Sequence, residues 1–270
     1  MMNTKLCTIW NRKGGVGKTL LTINIATYLA SKGKKVLLVD IDQQANLTSR
    51  LYNSVHNSLT LGDCIINNMD ISNCILKGIN ESYKTLDLIP SNSNMRFLEE
   101  LLIKSQNQDT VIANYLSANM KHLEEYDYIF FDMPPSNNVI GRNILVYTNI
   151  VFITEYSNND SIDMINSYLF EYQEDVKRLG LNSNLNFAIL VNRYTSKKDS
   201  GTKLYEQYLD RFEHLKPFIL DTKINESVVM KNANTFRLSV EDYIKTFGGR
   251  KNAINQLESV INELIERGVL

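Results

Sequence analysis

Seven consecutive residues, Lys13-Gly14-Gly15-Val16-Gly17-Lys18-Thr19, constrain this chain more than any other stretch. An apolar run from Leu6 to Trp10 leads into them, and Leu21, Ile25, Ala26 and Leu29 follow at helical spacing. The order is strand, glycine-rich turn, helix. Glycine lets the backbone wrap closely with its N–H groups pointing inward, where a Cβ would stand in the way. The helix that follows aims its dipole and its unpaired amides at the same point. Such a turn suits an oligophosphate, with Lys18 reaching the β- and γ-phosphates and the Thr19 hydroxyl on Mg²⁺.

Two acidic motifs belong to the same chemistry. Val36-Leu37-Leu38-Val39 is a short continuous apolar run, the pattern of a central parallel strand, and it ends in Asp40 and Asp42. Alternate residues of one strand face the same way, so both carboxylates are expected to serve one Mg²⁺–water network. Downstream, Tyr126 to Phe131 runs into Asp132, where an acid would hold the Mg²⁺ shell. Met133-Pro134-Pro135-Ser136 follows, two prolines fixing the backbone beside the γ-phosphate position.

The rest of the chain alternates in the same manner. Leu86–Pro90, Ile150–Thr154, Asn186–Asn192 and Phe218–Leu220 read as strands. Helices are expected near Leu61–Ile66, from Met95 through Leu102, over Asp109–Leu123, Ser161–Leu179 and Gly201–Phe212, and over Asn252–Arg267. Repeated βα units predict an α/β fold, a doubly wound, mostly parallel sheet with helices on both faces, and residues 1–270 read as a single domain. With 43% hydrophobic and 22% charged residues the chain can bury a full core. Its net charge of −1 gives no general attraction to a polyanion, so any nucleic-acid surface has to be a local patch. Cys7, Cys64 and Cys74 are scattered without metal-ligand spacing and read as reduced thiols. No signal peptide and no bilayer-length apolar run is apparent, the pattern expected of a cytoplasmic protein.

The form Lys-Gly-Gly-Val-Gly-Lys-Thr lacks the upstream glycine of a full Walker A motif and carries Lys13 in its place. It resembles the deviant Walker A of the ParA/MinD family of ATPases. Asp40-Ile41-Asp42-Gln43-Gln44-Ala45-Asn46 is similar to that family's Asp-x-Asp-Pro-Gln-[Gly/Ala]-Asn, with Gln43 replacing the proline, and Asp132 to Ser136 is similar to its Asp-x-Pro-Pro-Ser. The resemblance implies an ATPase that forms a nucleotide-sandwich homodimer on ATP. Lys13 would reach across to the partner's phosphates, Asp42 would orient the attacking water, and Thr19, Asp40 and Asp132 would serve the metal. Several relatives place an asparagine at the end of a strand on the adenine, which would make Asn192 a nucleotide contact; an asparagine there is equally a turn former.

Within that superfamily the residues favour one branch. The closing apolar stripe, Leu257, Val260, Ile261, Leu264 and Ile265, carries Glu258, Glu263 and Glu266 on its polar side, which anionic lipid repels, so the stripe reads as core and no membrane partner is expected. Paired cysteines for an iron–sulfur cluster are missing, as is a terminal tyrosine cluster. The pattern is closest to small Soj-like ParA partition ATPases. Their resemblance implies non-specific duplex DNA binding by the ATP dimer, association with the nucleoid, and hydrolysis stimulated by a ParB-like centromere-binding partner. One departure stands out. Glu226 and Val229 occupy positions where Soj-like relatives commonly carry basic residues, and Lys231 remains. Other basic candidates for a DNA patch are Lys197, Lys198, Lys203 and Arg250. The competing reading is a nucleotide-dependent switch that positions a protein cargo or regulates replication initiation without holding DNA itself.

Overall fold

Among the described residues six apolar runs form the strands: β1 (Lys5–Trp10), β2 (Val36–Asp40), β3 (Leu86–Ile89), β4 (Tyr128–Asp132), β5 (Asn149–Glu155) and β6 (Phe187–Asn192). The computed structural model describes residues 4–52, 58–136, 138–145, 147–155, 159–179, 186–195, 210–249 and 251–270. The strands make one sheet in the order β3-β2-β4-β1-β5-β6. The pairs β1–β4, β2–β3, β2–β4 and β5–β6 all run parallel. This is the doubly wound α/β architecture expected from the alternating pattern. Every residue of β2, β3 and β4 is buried, as a strand covered on both faces requires.

The chain divides into two compact units, Met1–Thr8 with Thr19–Asn149 and Ile9–Lys18 with Ile150–Leu270. In the first, β2 pairs with β4 so that Asp40 lies opposite Asp132, and both acids end their strands together. Helix α1 (Lys18–Ser31) stops shortly before Gly33, which takes φ +81°, a conformation open to a residue without Cβ. Helices α2 (Asn46–Leu51), α3 (Leu61–Ile66) and α4 (Met95–Lys104) follow, with a 3₁₀ turn at Ile71–Cys74. In α4, Met95, Leu98 and Leu102 face the core, while Phe97 is exposed beneath the Arg96 guanidinium. The helix expected over Asp109–Leu123 is two: α5 (Val111–Ala118) and α6 (Met120–Leu123). They part at Asn119, whose side chain accepts from the Ile71 amide and donates to the Tyr115 carbonyl. Helix α7 (Val139–Leu145) completes this unit.

The second unit holds β5, β6, helix α8 (Asn159–Leu179), a 3₁₀ stretch at Asp210–Phe218, and helices α9 (Val228–Thr235), α10 (Val240–Phe247) and α11 (Asn252–Glu266). Phe218–Leu220 is not a strand. The 3₁₀ stretch runs to Phe218, leaving a single parallel bridge from Ile219 to Ile189. In α11, Leu257, Val260, Ile261 and Leu264 are buried as expected, but Ile265 is exposed. Except for its last residues, the helix expected over Gly201–Phe212 lies outside the described residues. No helix among the described residues is long and apolar enough to cross a membrane.

Candidate functional site

The end of β1 is anchored in the second unit, where Trp10 packs edge-on against Tyr168 at 4.6 Å between ring centroids. Asn11 then fixes the entry to the glycine turn. Its amide nitrogen donates to the Ile153 carbonyl at 2.6 Å, and its oxygen accepts from the Lys13 amide. Gly15 and Gly17 adopt φ of +78° and +104°, values that L side chains rarely tolerate. At Gly17 a Cβ would also meet the Asn192 side-chain nitrogen at 2.9 Å. That nitrogen, on the residue expected at the adenine, donates to the Val16 carbonyl at 2.8 Å.

Both lysines are held by the turn's surroundings. The Lys18 ammonium donates to the Asn11 and Lys13 carbonyls at 2.9 and 2.8 Å, with the backbone curled around it. The Lys13 ammonium pairs with Glu155 Oε2 at 2.9 Å. Glu155, the last residue of β5, also pairs with Arg193, whose other nitrogen donates to the Gly15 carbonyl. Arg193 stands in the left-handed region, φ +55°, directly after β6. Arg12 pairs with Glu171 on α8. Above Gly14 and Gly15 a Cβ would meet nothing within 4 Å, which leaves these backbones open to an incoming group.

The first unit carries the acids. Thr19 donates to Asp132 Oδ2 at 2.8 Å, and Asp132 is buried. The alternation expected of Asp40 and Asp42 is not what forms, because β2 stops at Asp40 and Asp42 begins a turn. Asp40 is fully buried; one oxygen accepts from the Asp42 amide and the other from the amide and hydroxyl of Thr48. Burial pushes its carboxyl up to about 6 against the lowering pull of those hydrogen bonds. The Asp42 carboxylate is half-buried and accepts from the Gln44 amide, closing a turn in which Ala45 takes φ +51°. A positive φ there suits glycine, and alanine adopts it at a steric cost.

Thr19 and Asp132, joined by their hydrogen bond, offer oxygen donors of the kind a hard divalent cation takes, while among the described residues no group of three or more acidic, histidine or cysteine side chains is gathered closely enough to hold a metal ion. The open, left-handed glycine turn has the chemistry of a phosphate cradle. Lys197, Lys198, Lys203 and Arg250 lie outside the described residues, and Lys231 is exposed on α9. Glu155 escaped the sequence reading, though an acid at the end of an apolar run is the same signal that marks Asp40 and Asp132. Thr48 and Ser91 escaped it too, and neither carries a local signal.

An AAA domain family model matches residues 4–187. Relatives with printed functions agree over more than half of the chain. The chromosome-partitioning ATPase Soj of Treponema pallidum is 29% identical over 259 residues, 95% of each chain. The chain belongs to the ParA/MinD family of ATPases. It is Soj-like within that family and an ATPase by membership. The cell division protein PomZ of Myxococcus xanthus is 30% identical over 83% of this chain and 68% of that protein. A plasmid partition protein of Borrelia burgdorferi B31, solved with AMPPNP, superposes with a TM-score of 0.75 at 25% identity, covering 98% of this chain and 99% of the other.

Proposed function

We propose that this partition-type ATPase segregates DNA: it dimerises around ATP, binds duplex DNA without sequence preference in that state, and is reset when a ParB-like partner stimulates hydrolysis. The observation that carries the reading is the full-length likeness to a chromosome-partitioning Soj, on a chain that retains every charged group of the phosphate loop. In this reading Lys18 leaves the Asn11 and Lys13 carbonyls for the phosphates, and Asn192, at the end of β6, contacts the adenine. Thr19, Asp40 and Asp132 would hold Mg²⁺, which neutralises phosphate charge when bound. Lys13 would exchange Glu155 for the phosphates of a second copy. Asp42 orients the attacking water, and since phosphoryl transfer is largely positioning, its placement sets the rate. Both compact units act together as one ATPase domain, in the cytoplasm and at the nucleoid.

A DNA patch assembled from Lys197, Lys198, Lys203, Lys231 and Arg250 would be doubled in the dimer. The test is binding of unrelated duplexes across a salt series with ATP, with ADP and without nucleotide. Binding with ATP alone is expected, with a log–log salt slope of about −0.9 per phosphate neutralised, flattened by charge removal at those positions. Equal binding in all three states would show that the dimer does not assemble the patch. Glu226 and Val229, standing where basic residues are common, favour the second reading, a nucleotide switch that positions a protein cargo or regulates replication initiation. No binding in any state would select it.

A further inference from the structure

The turn that carries Asp42 is tied to the fold by a closed ring of hydrogen bonds. The Asp42 amide donates to Asp40 Oδ1 at 3.1 Å. Asp40 Oδ2 accepts the Thr48 hydroxyl at 2.7 Å. The same hydroxyl accepts the Ser91 amide at 2.9 Å, and the Ser91 hydroxyl donates back to the Asp42 carbonyl at 2.7 Å. Both polar groups of the Asp42 backbone are therefore held, one through Asp40 and the other through Ser91. Asp40, Thr48 and Ser91 are each fully buried, so water does not compete for these bonds. The ring joins three places remote in sequence: the end of β2, the first turn of α2, and the residue after Pro90 beyond β3.

We infer that Thr48 and Ser91 are positioning residues for ATP hydrolysis, fixing the backbone from which the Asp42 carboxylate reaches the attacking water. The inference rests on the reading of Asp42 as the residue that orients that water. Thr48 is suited to the task because one hydroxyl donates to Asp40 while accepting from Ser91. Valine has the same shape and can do neither; serine can do both. A carboxylate displaced by about 1 Å from its working position loses on the order of 10² in rate. Nucleotide binding depends on the glycine turn and Lys18 instead, so the inference separates turnover from affinity.

Four purified variants test it: Thr48→Val, Thr48→Ser, Ser91→Ala and Asp42→Ala, together with the double variant Asp42→Ala/Thr48→Val. Steady-state ATP hydrolysis gives kcat, AMPPNP titration gives affinity, and thermal melting reports folding. Thr48→Val is expected to lower kcat about 10- to 100-fold with AMPPNP affinity within about threefold of the parent, and Thr48→Ser to restore kcat to within about threefold. Ser91→Ala should lower kcat by a smaller factor in the same direction. The double variant should be no slower than Asp42→Ala, since an unanchored turn costs nothing once its carboxylate is gone. Slow Asp42→Ala beside a Thr48→Val of parental kcat overturns the inference alone, and so do losses that multiply in the double variant. Parental kcat in Asp42→Ala removes the reading of Asp42 and the inference with it. If Thr48→Val does not fold, Ser91→Ala carries the same comparison with Asp42→Ala, and parental kcat there overturns the inference.

Discussion

Lys18 shows how a cation can shape its own site before a ligand arrives. Its ammonium sits between the Asn11 and Lys13 carbonyls, so the backbone is bent around a positive charge. Lys13 is held differently, by the carboxylate of Glu155 at the loop's rim. The two lysines should therefore fail differently. Lys18→Ala is expected to abolish nucleotide binding, seen as the loss of AMPPNP titration heat. Lys13→Ala should bind nucleotide normally yet neither dimerise nor hydrolyse it, and a normal ATP-dependent dimer in light scattering would refute its role across the interface. The places of Lys13 and Lys18 in the turn after β1 and of Asp132 at the end of β4 could be read from the sequence, because each lies within a few residues of the pattern that marks it. Thr48 and Ser91 could not, because 43 residues separate the two groups that meet, and nothing local marks either one.

Among the elements, strands were easier to read than helix faces. A run such as Val36–Val39 is buried on every side, so its composition alone suffices, whereas a helix has to be assigned a face. Phe97 and Ile265 each lie beside true core positions and turn outward, because one step along a helix rotates a side chain by about 100°. The division at Asn119 was hidden for another reason: its side chain competes with the helix through a bond to Ile71, distant in sequence. Helix α11 carries a testable tie of the same tertiary kind. Glu263 accepts the amides of Asp221 and Thr222 at 2.9 and 3.0 Å and pairs with Arg267 at 2.8 Å. Partial burial pushes its carboxyl up, and the two amides with Arg267 outweigh this and hold it below the usual glutamate value. Glu263→Gln, which puts an amide donor where an acceptor is needed, should cost about 1–2 kcal/mol at neutral pH. The charged form contributes its stability above the unfolded value of 4.5 and loses it as pH falls through the lower folded value. The melting gap between parent and variant should therefore narrow in acid.

For the whole molecule, the sheet order places β1, which leads into the glycine turn, next to β4, with β2 beyond it, so three motifs separated in sequence lie at or after the ends of neighbouring strands. That convergence followed from alternating βα units, whose connections admit few topologies. The partition of the chain into two compact units was not legible, because it depends on contact density and cuts between Lys18 and Thr19, inside one continuous motif. Stability at this scale should answer to ligand by mass action. Mg²⁺ with AMPPNP at about a hundred times its dissociation constant should add about 2.7 kcal/mol, seen as a raised Tm that Lys18→Ala does not show. The cysteines extend the same point into practice. Cys7, Cys64 and Cys74 are all free thiols sealed inside the fold, and burial pushes the Cys7 thiol up to about 12. The native chain is consequently mute toward thiol-directed dyes. One cysteine introduced at exposed Gln43, next to Asp42, could carry a fluorophore on an otherwise unaltered background, turning the motion of that turn during a nucleotide cycle into an optical signal.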